Sequence, residues 1–85
     1  MGITDDAIKD YENAVRLNPE DFHSYFRMGT LEAIKNKNHL IARGYFREAV
    51  RLNPNDSDSK HNLNSAIRHL ERYKKKFGLK DENFN

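Results

Sequence analysis

The stretch Tyr11-Glu12-Asn13-Ala14-Val15-Arg16-Leu17-Asn18-Pro19 returns as Phe46-Arg47-Glu48-Ala49-Val50-Arg51-Leu52-Asn53-Pro54. The offset is 35 residues, six of the nine positions are identical, and Ala7 with Ala42 carries the match further upstream. Self-similarity at this period marks a repeat architecture, in which each unit buries its apolar face only by stacking on the next. The period sets the fold class before any single side chain is weighed. It also moves the search for function from a catalytic pocket to a binding surface.

Outward from the motif, apolar periodicity predicts about four helices. The first runs from about Asp5 to Leu17, capped by Thr4 or Asp5, with Ile8, Tyr11, Ala14 and Val15 as its buried stripe. Asn18-Pro19 ends it, because the residue before proline avoids the helical region. The second runs from about Asp21, its N-cap, to Asn36, with Tyr25, Met28, Gly29 and Ala33 toward the stack. Gly29 costs about 1 kcal/mol of helix stability relative to alanine, a cost a helix accepts where a neighbour must come close. The third spans about His39 to Leu52, with Ala42, Tyr45, Phe46, Ala49 and Val50 as its core side. The fourth spans about Ser57 to Phe77 behind an Asp56 or Ser57 cap. Its apolar stripe is Leu63, Ala66, Ile67, Leu70, Tyr73 and Phe77, and Gly78 suits the left-handed position that stops a helix.

The repeat resembles the tetratricopeptide repeat, whose pattern is W-x2-L-G-x2-Y, A-x3-F and P over ~34 residues. Here the pattern reads Tyr25-x2-Met28-Gly29-x2-Glu32, then Ala42-x3-Phe46, then Pro54, and the earlier copy supplies Ala7-x3-Tyr11 and Pro19. Two features depart from it. Glu32 stands at an aromatic position, and an extra residue falls near Lys35-Asn36-Lys37-Asn38, a stretch with turn chemistry. The chain thus reads as half a repeat, one full repeat and a C-terminal capping helix. The resemblance implies an all-α fold of antiparallel helix-turn-helix units in a right-handed superhelical stack, an α-solenoid. The resemblance covers roughly residues 4–70, and the helix bounds give a domain over residues 5–77, between an N-terminal tail or expression scar at 1–4 and a flexible tail at 78–85.

Composition narrows the function classes. The chain has 85 residues, no cysteine and 36% hydrophobic residues, so disulfides, thiolate catalysis and zinc–thiolate sites are excluded. No apolar run approaches the ~20 residues that span a bilayer, and no signal peptide is visible. The expectation from this is a cytoplasmic chain with no membrane partner. Residues 5–21 hold Asp5, Asp6, Asp10, Glu12, Glu20 and Asp21, whereas residues 68–80 hold Arg68, Arg72, Lys74, Lys75, Lys76 and Lys80 against Glu71. One acidic edge and one basic edge favour head-to-tail contact between copies or an acidic partner.

No motif of catalysis appears. The histidines, His23, His39, His61 and His69, lack metal-ligand spacing and read as solvated or hydrogen-bonded surface groups. There is no glycine-rich phosphate loop. The expectation is therefore a non-enzymatic interaction module without cofactor or metal. The resemblance places its binding face on the first helix of each unit: His23, Phe26, Arg27, Thr30, Ala33 and Ile34 on the second helix, and Asp58, His61, Asn62, Ser65, Arg68 and His69 on the fourth. Phe26 would anchor a ligand side chain. His23-x3-Arg27 stands where some relatives carry a Lys-x3-Arg carboxylate clamp, which points to a peptide partner with an acidic C-terminal segment. Weak self-association is expected through Leu70, Tyr73 and Phe77, the overhang of the long fourth helix. The alternative is an adaptor for RNA or an acidic surface through Arg72-Tyr73-Lys74-Lys75-Lys76. Nucleic acid is the weaker of these, because Tyr73 falls on the apolar stripe, where it would be buried and unavailable for stacking.

Overall fold

A computed structural model describes residues 3–78. Four helices follow one another: α1 (Ile3–Leu17), α2 (Phe22–Ile34), α3 (His39–Leu52) and α4 (Ser57–Phe77), with no strand among the described residues. Each helix packs on its neighbour in sequence, and α2 also touches α4 behind α3. The expected all-α helical repeat of about four helices is the observed architecture. The residues expected to form the end of a C-terminal tail, 79–85, lie outside the described part.

The two Asn-Pro junctions are built alike. Asn18 donates its amide to the carbonyl of Ala14 at 2.8 Å, and Asn53 donates to Ala49 at 2.9 Å, each closing the last turn of its helix. The amides of Asp21 and Asp56 then donate back to the carbonyls of Asn18 and Asn53, both at 3.1 Å. Asp21 and Asp56 cap the helices that follow. The Asp21 carboxylate accepts from the Ser24 amide at 3.3 Å and from the Ser24 hydroxyl at 2.8 Å. Asp56 does the same for the amide and hydroxyl of Ser59. Both serines are buried, so each cap also satisfies a hydroxyl that burial would otherwise penalise. Asp-x2-Ser is thus a third element of the 35-residue repeat, lying outside the nine-residue motif.

The core sits where α2, α3 and α4 meet. Phe46 is 2% exposed and groups with Ala42 and Ala66, flanked by Ala33 and Leu63. Its ring lies over Gly29: a Cβ at that glycine would stand 2.6 Å from Phe46 Cε1. The missing side chain is what lets α2 and α3 approach, as the sequence suggested. Gly78 takes φ 66° and ends α4 in the left-handed conformation.

Two boundaries and one burial differ from expectation. Thr4 and Asp5 do not cap α1, which already begins at Ile3; Asp5 and Asp6 lie in its first turn, where carboxylates complement the helix dipole. α2 stops at Ile34, two residues before Asn36. The reason is Lys37, which turns to φ 57°, while the amides of Asn36 and Asn38 reach back to the carbonyls of Leu31 and Glu32 at 3.2 and 2.8 Å. Of the two residues offered as the α4 cap, Asp56 is the one used. Tyr73 is 50% exposed rather than buried, since α3 runs out before α4 does. Glu32, at the family's aromatic position, is buried and accepts a 2.9 Å hydrogen bond from Nδ2 of Asn36.

Candidate peptide-binding cleft

The antiparallel course of α2 and α3, followed by α4, leaves a cleft between α2 and α4 that α3 closes from behind. Its volume is about 340 Å³. Phe46 and Ala66 form an apolar floor, and Ala33 and Ile34 form one wall. Ile34 is 59% exposed, a large apolar side chain held at the rim. Thr30 lies on the same wall and donates its hydroxyl to the Phe26 carbonyl at 3.0 Å, which fixes its side chain. The facing wall supplies the amide of Asn62 and the hydroxyl of Ser65, groups that both donate and accept. Lys37 and two imidazoles, His39 and His69, close one end, and no carboxylate lines the cleft.

The two histidines stack with ring centroids 4.2 Å apart and planes 9° from parallel. Nδ1 of His39 is buried and has no hydrogen-bond partner. Burial, then His69, then Lys37 push the His39 imidazole below its ordinary pKa, so the neutral ring is favoured. The expectation of solvated or hydrogen-bonded histidines is corrected at this position: the helix start at His39 presses its ring against α4. A second depression, of about 500 Å³, continues past this pair along Leu40, Leu70 and Tyr73.

Of the expected binding residues, the cleft brings together Thr30, Ala33, Ile34, Asn62, Ser65 and His69. It does not include His23, Phe26 or Arg27. These line a separate depression with Phe22, Asp56 and Asp58. Phe26 is half-buried, its ring edge-on to Phe46 with centroids 6.1 Å apart, so much of its surface is used in packing. Arg27 is exposed, with two aspartates in the same depression. His61 and Arg68 are exposed on α4 and line neither depression. Of the self-association residues, Leu70 is 8% exposed, while Tyr73 and Phe77 are open, their rings 4.6 Å apart with the Lys76 ammonium 5.5 Å from the Phe77 ring. Lys37, His39 and Phe46 were missed as cleft residues. The extra residue in the α2–α3 turn was the available signal, because it is what carries Lys37 and His39 to the cleft.

The chain is similar to Protein O-mannosyl-transferase TMTC1 of Homo sapiens, with 35% identity over 63 residues, 74% of this chain and 7% of the relative. It is also similar to Protein O-mannosyl-transferase TMTC1 of Mus musculus, with 32% identity over 72 residues, 85% of this chain and 7% of the relative. The chain therefore spans about 7% of the length of the curated relatives it matches. No family model matches it. No solved structure gives a significant match. These similarities and the all-helical architecture are compatible with a tetratricopeptide-like repeat. Two expectations are corrected. The relatives are named as transferases, which are enzymes, so the reading of the chain as non-enzymatic does not stand. The relatives are membrane-associated proteins of the endoplasmic reticulum, so the cytoplasmic assignment does not stand either. No described helix is long and apolar enough to cross a membrane.

Proposed function

We propose that the chain is a tetratricopeptide-like protein-interaction module whose α2–α4 cleft takes up an extended, acidic segment of a partner protein. The observation that carries this is the lining of the cleft: an apolar floor at Phe46 and Ala66, hydrogen-bonding side chains at Asn62 and Ser65, and Lys37 with no opposing carboxylate. An extended peptide needs all three, since its backbone must be hydrogen-bonded while its side chains are desolvated. The clamp-like position, by contrast, offers Arg27 beside Asp56 and Asp58, which compete for the guanidinium with any acidic ligand. A polypeptide ligand also fits the relatives, since a protein O-mannosyl-transferase by its name acts on protein.

A second reading keeps the basic end of α4 as a site for an acidic surface or RNA. It is favoured by the exposure of Tyr73 and Phe77 beside Lys75 and Lys76. Lys74 is committed, paired with Glu71 at 3.0 Å.

The test is an amide-shift titration with acidic peptides bearing a free C-terminal carboxylate. Shifts centred on Thr30, Asn62 and Ser65, lost on Ser65→Arg and kept on Arg27→Ala, would support the cleft. Shifts confined to residues 72–77 that vanish with added salt would favour the second reading. A response lost on Arg27→Ala alone would return the site to the clamp-like depression.

A further inference from the structure

The 35-residue period relates two interfaces, and the chain by itself makes only one of them. α2 packs on α3. One period forward from α2 is α4, and one period back from α3 is α1, so the equivalent interface sets α4 of one copy against α1 of another. The α1 face for such a contact is open. Ala7, Tyr11 and Ala14 occupy the places of Ala42, Phe46 and Ala49, yet the first three are half-exposed and the last three buried.

The side chains that this register would bring together are complementary. Tyr25 and Tyr45 face each other across α2–α3 with ring centroids 6.4 Å apart. Their counterparts are Lys60 and Asp10, both exposed and opposite in charge. Phe26, edge-on to Phe46, becomes His61 against Tyr11. Gly29, under the Phe46 ring, becomes Asn64 against the same tyrosine, an amide facing a phenol. Asn64 fills the space that Gly29 leaves empty, so α4 and an incoming α1 stand further apart than α2 and α3. The contact is thus a more polar, looser version of the one inside the chain, led by charge rather than by aromatic packing.

We propose that the chain associates head to tail, with α1 of a second copy seated on α4 as α3 is seated on α2, and with Asp10 of one copy facing Lys60 of the other. The contact is heterologous and leaves each pair with an open end for a further copy. One helix face is smaller than the ~800 Å² per partner of a standard interface, so the association is weak. It is also salt-sensitive, because its charged pair lies near solvent.

Sedimentation equilibrium from roughly 10 μM to 1 mM, a range chosen to span a weak small interface, tests this. The wild-type average mass is expected to rise with concentration and to fall back at high salt. Asp10→Lys and Lys60→Asp, both at exposed positions, should each weaken association roughly 3- to 10-fold while leaving helical circular dichroism unchanged. An equimolar mixture of the two variants should recover it, because every contact then has an oppositely charged pair available. A wild-type chain that stays at 10.0 kDa throughout would overturn the proposal. So would a mixture that fails to recover. Association untouched by both reversals but abolished by Tyr73→Glu would also overturn it, and would place the contact at the overhang of α4.

Discussion

α1 and α3 carry the same motif and end at the same Asn-Pro turn, yet they live in different surroundings. α3 has α2 on one side and α4 on the other, and its Ala42, Phe46 and Ala49 are buried. α1 is packed by α2, and its Ala7, Tyr11 and Ala14 stay half-exposed. The motif therefore encodes a capacity for burial, and neighbours decide whether that capacity is used. In a repeat protein, stability is a sum of unit and interface terms, so a unit with one interface contributes less than a unit with two. The two copies provide an internal control in which chemistry is nearly constant and only packing varies.

The sharpest way to break this comparison is to truncate the aromatic in each copy. Phe46→Ala should cost about 3–5 kcal/mol, through lost burial and the cavity left behind. For a chain of this size such a loss removes most of the cooperative transition. Tyr11→Ala, at a half-exposed site, should cost only about 1 kcal/mol. Urea denaturation of both variants measures the difference. Equal losses would mean that α1 is as tightly packed as α3, and the contrast drawn from burial would fail.

Enlargement is a milder probe of the same contrast. Ala49→Leu forces three extra carbons against fully buried surroundings and should destabilise by about 1–3 kcal/mol. Its counterpart Ala14→Leu, at a half-exposed position, should change stability by no more than about 0.5 kcal/mol. The glycines give a matching pair. Gly29→Ala meets the Phe46 ring and should cost about 1–3 kcal/mol, since that ring is itself locked in the core. Gly44→Ala meets nothing within 4 Å on the exposed side of α3 and should stabilise by about 1 kcal/mol through helix propensity. Thermal melts suffice for all four variants, and a stabilised Gly29→Ala would show that the α2–α3 approach is not limited by that contact.

These contrasts also show which parts of the molecule could be read from residue order. Helix number, both Asn-Pro stops and the close approach at Gly29 follow from local chemistry and from the repeat, and all were legible. Asp21 and Asp56 were legible as caps, but the buried serines they hold were not singled out, although Asp-x2-Ser repeats at the same offset. Tyr73 was read both as part of an overhang and as buried on the apolar stripe; its 50% exposure agrees with the overhang, because a stripe says which face is apolar, not whether a neighbour covers it. The cleft was only half legible. Thr30, Asn62 and Ser65 sit on regular helices, where register places them. Lys37 and His39 depend on a left-handed turn at a lysine, a conformation that the residue type itself disfavours. The return of the Asn36 and Asn38 amides to the Leu31 and Glu32 carbonyls, which closes the end of α2, accompanies it.

The same turn supplies the smallest expected difference between the copies, and pH reads it. One period back from His39 is Thr4, and one period back from His69 is Ile34, so only the α3 copy has a stacked imidazole pair at its helix start. The folded chain holds His39 below its ordinary pKa of 6.5, through burial first and then through His69 and Lys37. The unfolded chain thus takes up the proton more readily than the folded one. The resulting stability is complete above the unfolded pKa and is lost as pH falls through the folded pKa. A protonated His39 would lie 4.2 Å from the His69 ring, with the Lys37 ammonium as a further cation nearby. His39 is only half-buried, so solvent screens these repulsions and the effect ranks below the substitutions above. Urea midpoints between pH 7.5 and 5 should therefore fall as the pH drops below 6.5, the ordinary pKa of the ring. His39→Thr, which installs the residue of the α1 copy, should flatten that slope. A slope that survives His39→Thr unchanged would assign the pH response to other groups and leave the stacked pair as a packing contact alone.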